Sequence, residues 1–259
     1  MFPNDLDYKN WKTIKVPVDT LWTYRPVCDY SLFDEELKDI LKFSNKFHGI
    51  FHPIIPYTMI LRYTKEGETV WDCFAGSGIT IDVCRLLKRN VIANDLYKTR
   101  DEIFECDSAI FDPKKKVQMI IMHPPYADIV KFGEKKEDLS NLSTEIDYPS
   151  MFYKSLSPRI NNFLFKFSRV LTNVIRFLDK RRILILVCGE IEDGGEEIPL
   201  GFYCMHMVRL YGFKLLGWIV KDFGHTKVNS KNYNLRKYRV LRSGKWLFSF
   251  DNIFVLQKL

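Results

Sequence analysis

His123-Pro124-Pro125-Tyr126 follows directly on an apolar run, Val117 to Met122. Two consecutive prolines fix the backbone and remove two N–H donors, which turns carbonyl oxygens outward. The aromatic residue after them can stack on a planar base. Such a loop suits an amino nitrogen attached to an aromatic ring, a poor nucleophile because its lone pair is delocalised into the ring. Acceptors around its N–H bonds favour a more tetrahedral, attacking nitrogen, and the Pro124 carbonyl and the His123 ring are the candidates. Elsewhere a bare P-P-Y is usually no more than a rigid loop exit.

A second group lies upstream, in Asp72-Cys73-Phe74-Ala75-Gly76-Ser77-Gly78-Ile79-Thr80. Glycines after a strand let the backbone approach a ligand, and the helix that follows offers free N–H groups. The spacing is neither G-x-G-x-x-G nor a phosphate-cradling G-x-x-x-x-G-K-[ST]. A lone G-x-G is more often a tight turn with no ligand. Asp95 closes the next strand, where an acid can accept from both hydroxyls of a ribose. Asp107 could receive the amino group of an adenine ring.

The third feature is charge. The chain has 39 Lys and Arg against 32 Asp and Glu, a surplus of +7. Lys221, Lys227, Lys231, Arg236, Lys237, Arg239, Arg242 and Lys245 stand against the single acid Asp222, so one segment carries a charge equal to the whole surplus. Aromatics interleave with it (Phe223, Tyr233, Tyr238, Trp246), and together they point to a polyanion such as nucleic acid. A solvated, lysine-rich surface is the plainer alternative.

These residues need a frame, and hydrophobic spacing provides one. Strands are expected over Thr69–Phe74, Val91–Ala93, Val117–Met122, Ile183–Val187 and Phe213–Val220. Helices are expected after Gly78, over Leu200–Leu210 and along the repeat from Ile160 to Leu178. A short helix is expected near Asp34–Phe43. The stretch Trp246–Leu256 reads as strand interrupted at Ser249-Phe250-Asp251-Asn252. Alternation of strand and helix implies an α/β domain with a mostly parallel sheet, whose ligands sit at the carboxyl ends of strands. Trp11, Trp22 and Tyr24 are expected to anchor the irregular first 45 residues.

With 259 residues, 46% apolar and 27% charged, the chain has the composition of an ordinary globular protein. Disordered and fibrous classes are excluded, and no run reaches the roughly 20 apolar residues of a membrane span. The first ten residues lack the apolar core of a secretory signal. The cysteines Cys28, Cys73, Cys84, Cys106, Cys188 and Cys204 form no C-x-x-C pair. Free thiols in a cytoplasmic protein are therefore expected, with no metal site.

D-C-F-A-G-S-G-I-T followed by M-H-P-P-Y resembles the amino-group DNA methyltransferases, which modify adenine N6 or cytosine N4. His52-Pro53-Ile54-Ile55-Pro56, Ile183–Glu190 and Asn252–Lys258 extend the resemblance in pieces over about residues 48 to 259. It implies a Rossmann-like domain with a mostly parallel seven-stranded sheet, helices on both faces, and S-adenosylmethionine as methyl donor. By position, Phe51, His52, Pro53, Asp72, Phe74, Gly76, Ser77, Gly78, Asp95 and Asp107 would bind the donor. His123, Pro124, Pro125 and Tyr126 would form the catalytic loop. The implied partner is duplex DNA with the target base extruded, contacted by Lys221, Lys227, Lys231, Arg236, Lys237, Arg239 and Arg242. A homodimer and a cognate restriction endonuclease are compatible partners, and a membrane is not. Residues 1–47 would be an extension packed on a 48–259 methyltransferase domain, with 127–157 and 221–246 as target-recognition segments.

His123 departs from the family, which more often has Asp, Asn or Ser there. Neutral histidine accepts one hydrogen bond and protonated histidine none. Activity is therefore expected to fall as pH drops through the histidine pKa. Adenine N6 is the favoured target. Cytosine N4, an RNA amine, and a nucleic-acid binder without transfer activity remain as alternatives.

Overall fold

The computed structural model describes residues 2–14, 16–23, 40, 51–129, 133–142, 153–222, 227–246 and 248–259. In chain order its elements are a 3-10 helix Tyr8–Thr13, then β1 (Leu21–Trp22), α1 (Ile54–Tyr63), β2 (Thr69–Asp72), α2 (Ile79–Leu86), β3 (Asn90–Asp95), β4 (Phe104–Glu105) and β5 (Val117–Met122). They continue with α3 (Pro158–Val174), β6 (Leu178–Cys188), β7 (Ile191–Asp193), β8 (Glu196–Ile198), α4 (Leu200–Leu210), β9 (Phe213–Asp222), α5 (Lys227–Ser243) and β10 (Phe250–Lys258).

Eight strands form one sheet in the order β1-β9-β10-β6-β5-β2-β3-β4. Only β10 runs against its neighbours β6 and β9. Central strands are buried on both faces, and alternate residues divide between two cores. From β6, Leu184, Leu186 and Cys188 pack with Phe163, Phe167 and Leu171 of α3 and Cys204 and Val208 of α4. Ile183, Ile185 and Val187 pack on the other side with Ile55 and Met59 of α1 and Val83 and Cys84 of α2. The sheet is thus helix-covered on both faces.

Eight strands replace the expected seven. The addition is β1, which pairs parallel with β9 and buries Trp22. Trp11, also expected as an anchor, is instead 63% exposed. The nearby contacts are polar. Asp5 accepts from Arg89 Nη2 at 2.9 Å and from the Glu66 amide at 2.6 Å. Tyr24, Cys28 and the Asp34–Phe43 helix, apart from Ile40, lie outside the described residues.

Three boundaries differ from expectation for local reasons. The helix α3 begins at Pro158, after Ser157, whose hydroxyl caps it by accepting from the Ile160 amide at 3.3 Å. It ends at Val174, and Leu178, read as its continuation, opens β6. Leu178 keeps the helical spacing because it returns to the same core. The strand β10 is unbroken through Asp251 and Asn252, because both polar side chains have partners there. The hairpin β7–β8 turns on Gly194-Gly195, both at positive φ.

Among the described residues no helix is long and apolar enough to cross a membrane.

Candidate active site

The chain runs β2, β3, β4 outward and then returns to place β5 on the other side of β2. The connection reverses between β2 and β5, where a cleft opens beyond the carboxyl ends. A cavity of about 330 Å³ lies there. Its wall combines the turn after β2 (Phe74, Gly76, Ser77), Asp95 at the end of β3, Asp107 after β4, and His123, Pro124, Pro125 and Tyr126 after β5. Phe51 completes it from before α1. The two motifs, 45 residues apart in sequence from Gly78 to His123, thus face one space.

Gly76 holds φ +49, and its amide donates to Asp95 Oδ2 at 2.9 Å. Asp95 Oδ1 accepts from the Tyr97 amide at 3.0 Å. Burial pushes the Asp95 carboxyl up, against these two amides. Asp107 is pushed up by burial as well, against the Ala109 amide it accepts from at 2.8 Å.

The catalytic-loop candidates are tied to the far side of the sheet. Tyr126 Oη lies 2.9 Å from His123 Nε2 and donates to Asp251 Oδ1 at 2.8 Å. Asp251 Oδ2 pairs with Lys221 Nζ at 3.5 Å. The Phe51 and His123 rings lie 4.9 Å apart at 32°. Gly189 leaves room for Tyr126, since a Cβ there would come within 2.7 Å of its ring. Burial pushes His123 down to about 4, against the opposing pull of Asp251. As far as this residue sets it, turnover is then expected to stay flat from pH 8 to about pH 5. That replaces the expected loss near the ordinary histidine pKa.

Beside this relay, Asn252 Nδ2 donates to Glu190 Oε1 at 2.6 Å and Asn252 Oδ1 accepts from Trp218 at 2.8 Å. Burial raises Glu190 to about 7. The folded state therefore holds more protons at this carboxyl than the unfolded chain between about pH 4.5 and 7, and stability falls as pH rises across that window. Glu190→Gln should remove the effect. Between pH 5 and 7.5 the wild type is expected to lose on the order of 2 kcal/mol relative to the variant in denaturant melts. A difference that does not change with pH would show that Glu190 titrates normally.

Four expected donor residues do not line the cavity. Asp72 is buried beneath the turn, accepting from the Thr80 hydroxyl and from the Phe74 amide at 3.1 Å, and burial pushes it up to about 6. Its work is to hold the turn. Gly78, at φ +81, starts α2 and packs against the Arg100 side chain. His52 Nδ1 accepts from the Ile54 amide at 3.3 Å, and Pro53 is the cap of α1. Only Phe51 of that trio reaches the space.

Among the expected DNA contacts, Lys221 is corrected. It is 8% exposed and ion-paired inside the sheet, because β9 runs on through Asp222. Lys237, Arg239 and Arg242 are exposed on α5. Lys227, Lys231 and Arg236 lie on the same helix, with side chains outside the described residues.

Sequence reasoning missed Asp138. It lines the cavity, is 3% exposed, and its Oδ1 accepts from the Ser140 amide and hydroxyl, both at 2.7 Å. Oδ2 is buried and makes no hydrogen bond among the described residues. Lys166 of α3 fixes this segment by donating to the carbonyls of Lys136, Asp138 and Asn141 at 2.6–2.9 Å. The Asp-x-Ser turn was the only local signal, and it says nothing about a ligand. Asp251 was missed because it was read as part of a strand break.

Residues 4–105 match the family described as DNA methylase. The match starts well before residue 48, where the resemblance in the sequence was first legible. No curated protein matches the chain. Among solved structures, TrmN from Thermus thermophilus is 14% identical with a TM-score of 0.42, over 86% of this chain and 48% of that one. The chain thus spans about half of TrmN's length. The cyclopropane synthase MmaA2 from Mycobacterium tuberculosis is 12% identical with a TM-score of 0.48, over 88% and 95%. An O-methyltransferase from a multienzyme of Brevibacillus brevis, in complex with S-adenosyl-L-homocysteine, is 13% identical with a TM-score of 0.43, over 74% and 66%.

The family implies S-adenosylmethionine, and the cavity suits it. That molecule presents a sulfonium cation, an ammonium group, ribose hydroxyls and an adenine amine. The wall offers the carboxylates of Asp95, Asp107 and Asp138, one with an unused buried oxygen, together with the rings of Phe51, Phe74 and Tyr97. Over residues 4–105 the chain is similar to the family described as DNA methylase.

Proposed function

We propose that the chain methylates an exocyclic amine of a DNA base, adenine N6 in preference to cytosine N4. The observation that supports this most is the position of His123-Pro124-Pro125-Tyr126 on the wall of the donor cavity. The bound donor supplies an electrophilic methyl group. The Tyr126 ring face receives the extruded base, and the Pro124 carbonyl and His123 ring accept from its amino N–H bonds. This turns the nitrogen lone pair toward the methyl group. No strong base is needed before attack, because the nitrogen can lose its proton after it is methylated. Incubation with tritium-labelled donor and DNA or RNA, followed by nucleoside analysis, tests the reading. Label in N6-methyladenine of DNA supports it. Label confined to RNA, or to N4-methylcytosine, reassigns the substrate.

The helix α5 carries the basic stretch, with Lys237, Tyr238, Arg239 and Arg242 exposed along it. In this reading it contacts phosphates, which give affinity without sequence choice. Reversing charge at Lys237 and Arg239 should weaken binding to all DNA sequences and lower the salt slope by roughly one for each phosphate no longer neutralised. Weakening confined to one sequence would make these residues base readers.

A further inference from the structure

A histidine in a loop position usually filled by a residue with an acceptor oxygen is useful only if its ring presents a lone pair there. We propose that Asp251 is a positioning residue that, through the Tyr126 hydroxyl, holds His123 in the tautomer with the proton on Nε2 and a bare Nδ1 toward the ligand. The inference rests on the amine-methylating reading and adds to it a residue from the last strand.

The hydrogen-bond directions leave one consistent arrangement. Asp251 is ion-paired with Lys221, and a carboxylate only accepts. The Tyr126 hydroxyl has one proton, and it is donated to Asp251 Oδ1 at 2.8 Å. The tyrosine oxygen can then only accept from His123 Nε2, 2.9 Å away, so Nε2 carries a proton. Burial disfavours the doubly protonated ring. Nδ1 is thereby unprotonated, and it has no hydrogen-bond partner among the described residues. His123 lines the cavity with Nε2 engaged, so a polar contact to a bound amine falls to Nδ1. The Phe51 ring, packed on the imidazole, opposes ring flipping.

Nothing in this relay is a proton pathway. Its effect is the choice between two neutral tautomers, only one of which can do what an aspartate or serine oxygen does at this loop position. Asp251→Asn breaks the logic without changing shape, because an amide can donate to Tyr126 as well as accept from it. Tyr126→Phe removes the link and keeps the ring for stacking.

Nitrogen-detected spectra of histidine-labelled protein report the tautomer directly, with His123→Ala assigning the signal. Wild type is expected to show Nε2–H. Asp251→Asn and Tyr126→Phe are expected to mix the tautomers and lower single-turnover methyl transfer by about 10- to 100-fold, as when partners that orient metal-bound histidines are removed. Donor affinity should hold. Wild type protonated on Nδ1 would overturn the proposal even if a variant fails to fold. So would a Tyr126→Phe protein with unchanged tautomer and full rate. If wild type shows Nε2–H but methylates no base amine, the relay stands and the substrate reading fails.

Discussion

Single-turnover methyl transfer by Tyr126→Ala is expected to fall by about two orders of magnitude while donor affinity is kept. The ring removed lines the cavity and is held edge-on to His123 at 5.6 Å between centroids. Stacking of a base on an aromatic ring is worth about 1–3 kcal/mol, and each 1.36 kcal/mol is tenfold in rate. The same variant also removes the hydroxyl that engages His123, so both parts of the loop lose their support. Gly189→Ala offers an independent route to the same outcome. A methyl group there would come within 2.7 Å of Cε2 on one edge of the Tyr126 ring, which Asp251 prevents from swinging away. Rates near wild type in both variants would show that the ring does not carry the target. Losses that appear in donor affinity instead would place Tyr126 in donor binding.

Donor binding should be lost, by about a hundredfold or more, in Asp95→Ala and in Gly76→Val. Asp95 fixes the turn through the Gly76 and Tyr97 amides and lies on the wall. Hydrogen bonds to a charged group contribute about 1.5–3 kcal/mol each, so losing those to two ribose hydroxyls accounts for the figure. At Gly76 the argument is conformational. Its φ of +49 disfavours a β-branched residue, while an added Cβ would meet no other atom closer than 4.0 Å. The variant can therefore fold and still intrude on space that the donor needs. Calorimetry on folded protein decides, and unchanged affinity in Gly76→Val would refute a donor site at this turn.

The core of the sheet was legible because strands such as Val117–Met122 and Ile183–Val187 are short, apolar and bounded by turn residues. The His123–Tyr126 loop and the glycine turn were legible because their backbone demands, two prolines and a positive φ, restrict residue type. Other features depended on distant partners. The strand β10 looked broken at Asp251 and Asn252 because polar residues argue against a buried strand until Tyr126, Lys221, Glu190 and Trp218 are seen beside them. Lys221 looked like a surface cation for the same reason. Asp138 looked like one more charge in a polar run, since only folding turns its segment over the cavity under the grip of Lys166. Asp72, Gly78 and His52 were placed at the ligand by position, whereas in the structure they do not line the cavity and make contacts within the turn and the helix starts beside it. Sequence spacing locates such a motif without separating residues that touch a ligand from those that hold the backbone around it.

The position of β10 between β6 and β9 makes one strand complete the pairing of both. Its neighbours, 178–188 and 213–222, are both earlier in the chain than the strand that must come between them. Until Phe250–Lys258 inserts, two apolar strands present unpaired edges, the situation that slows folding and invites association of intermediates. The same insertion delivers Asp251 to Tyr126. Closure of the sheet and completion of the loop thus rest on the same strand, and loss of its pairing would leave the glycine turn and the cavity floor without a locked His123.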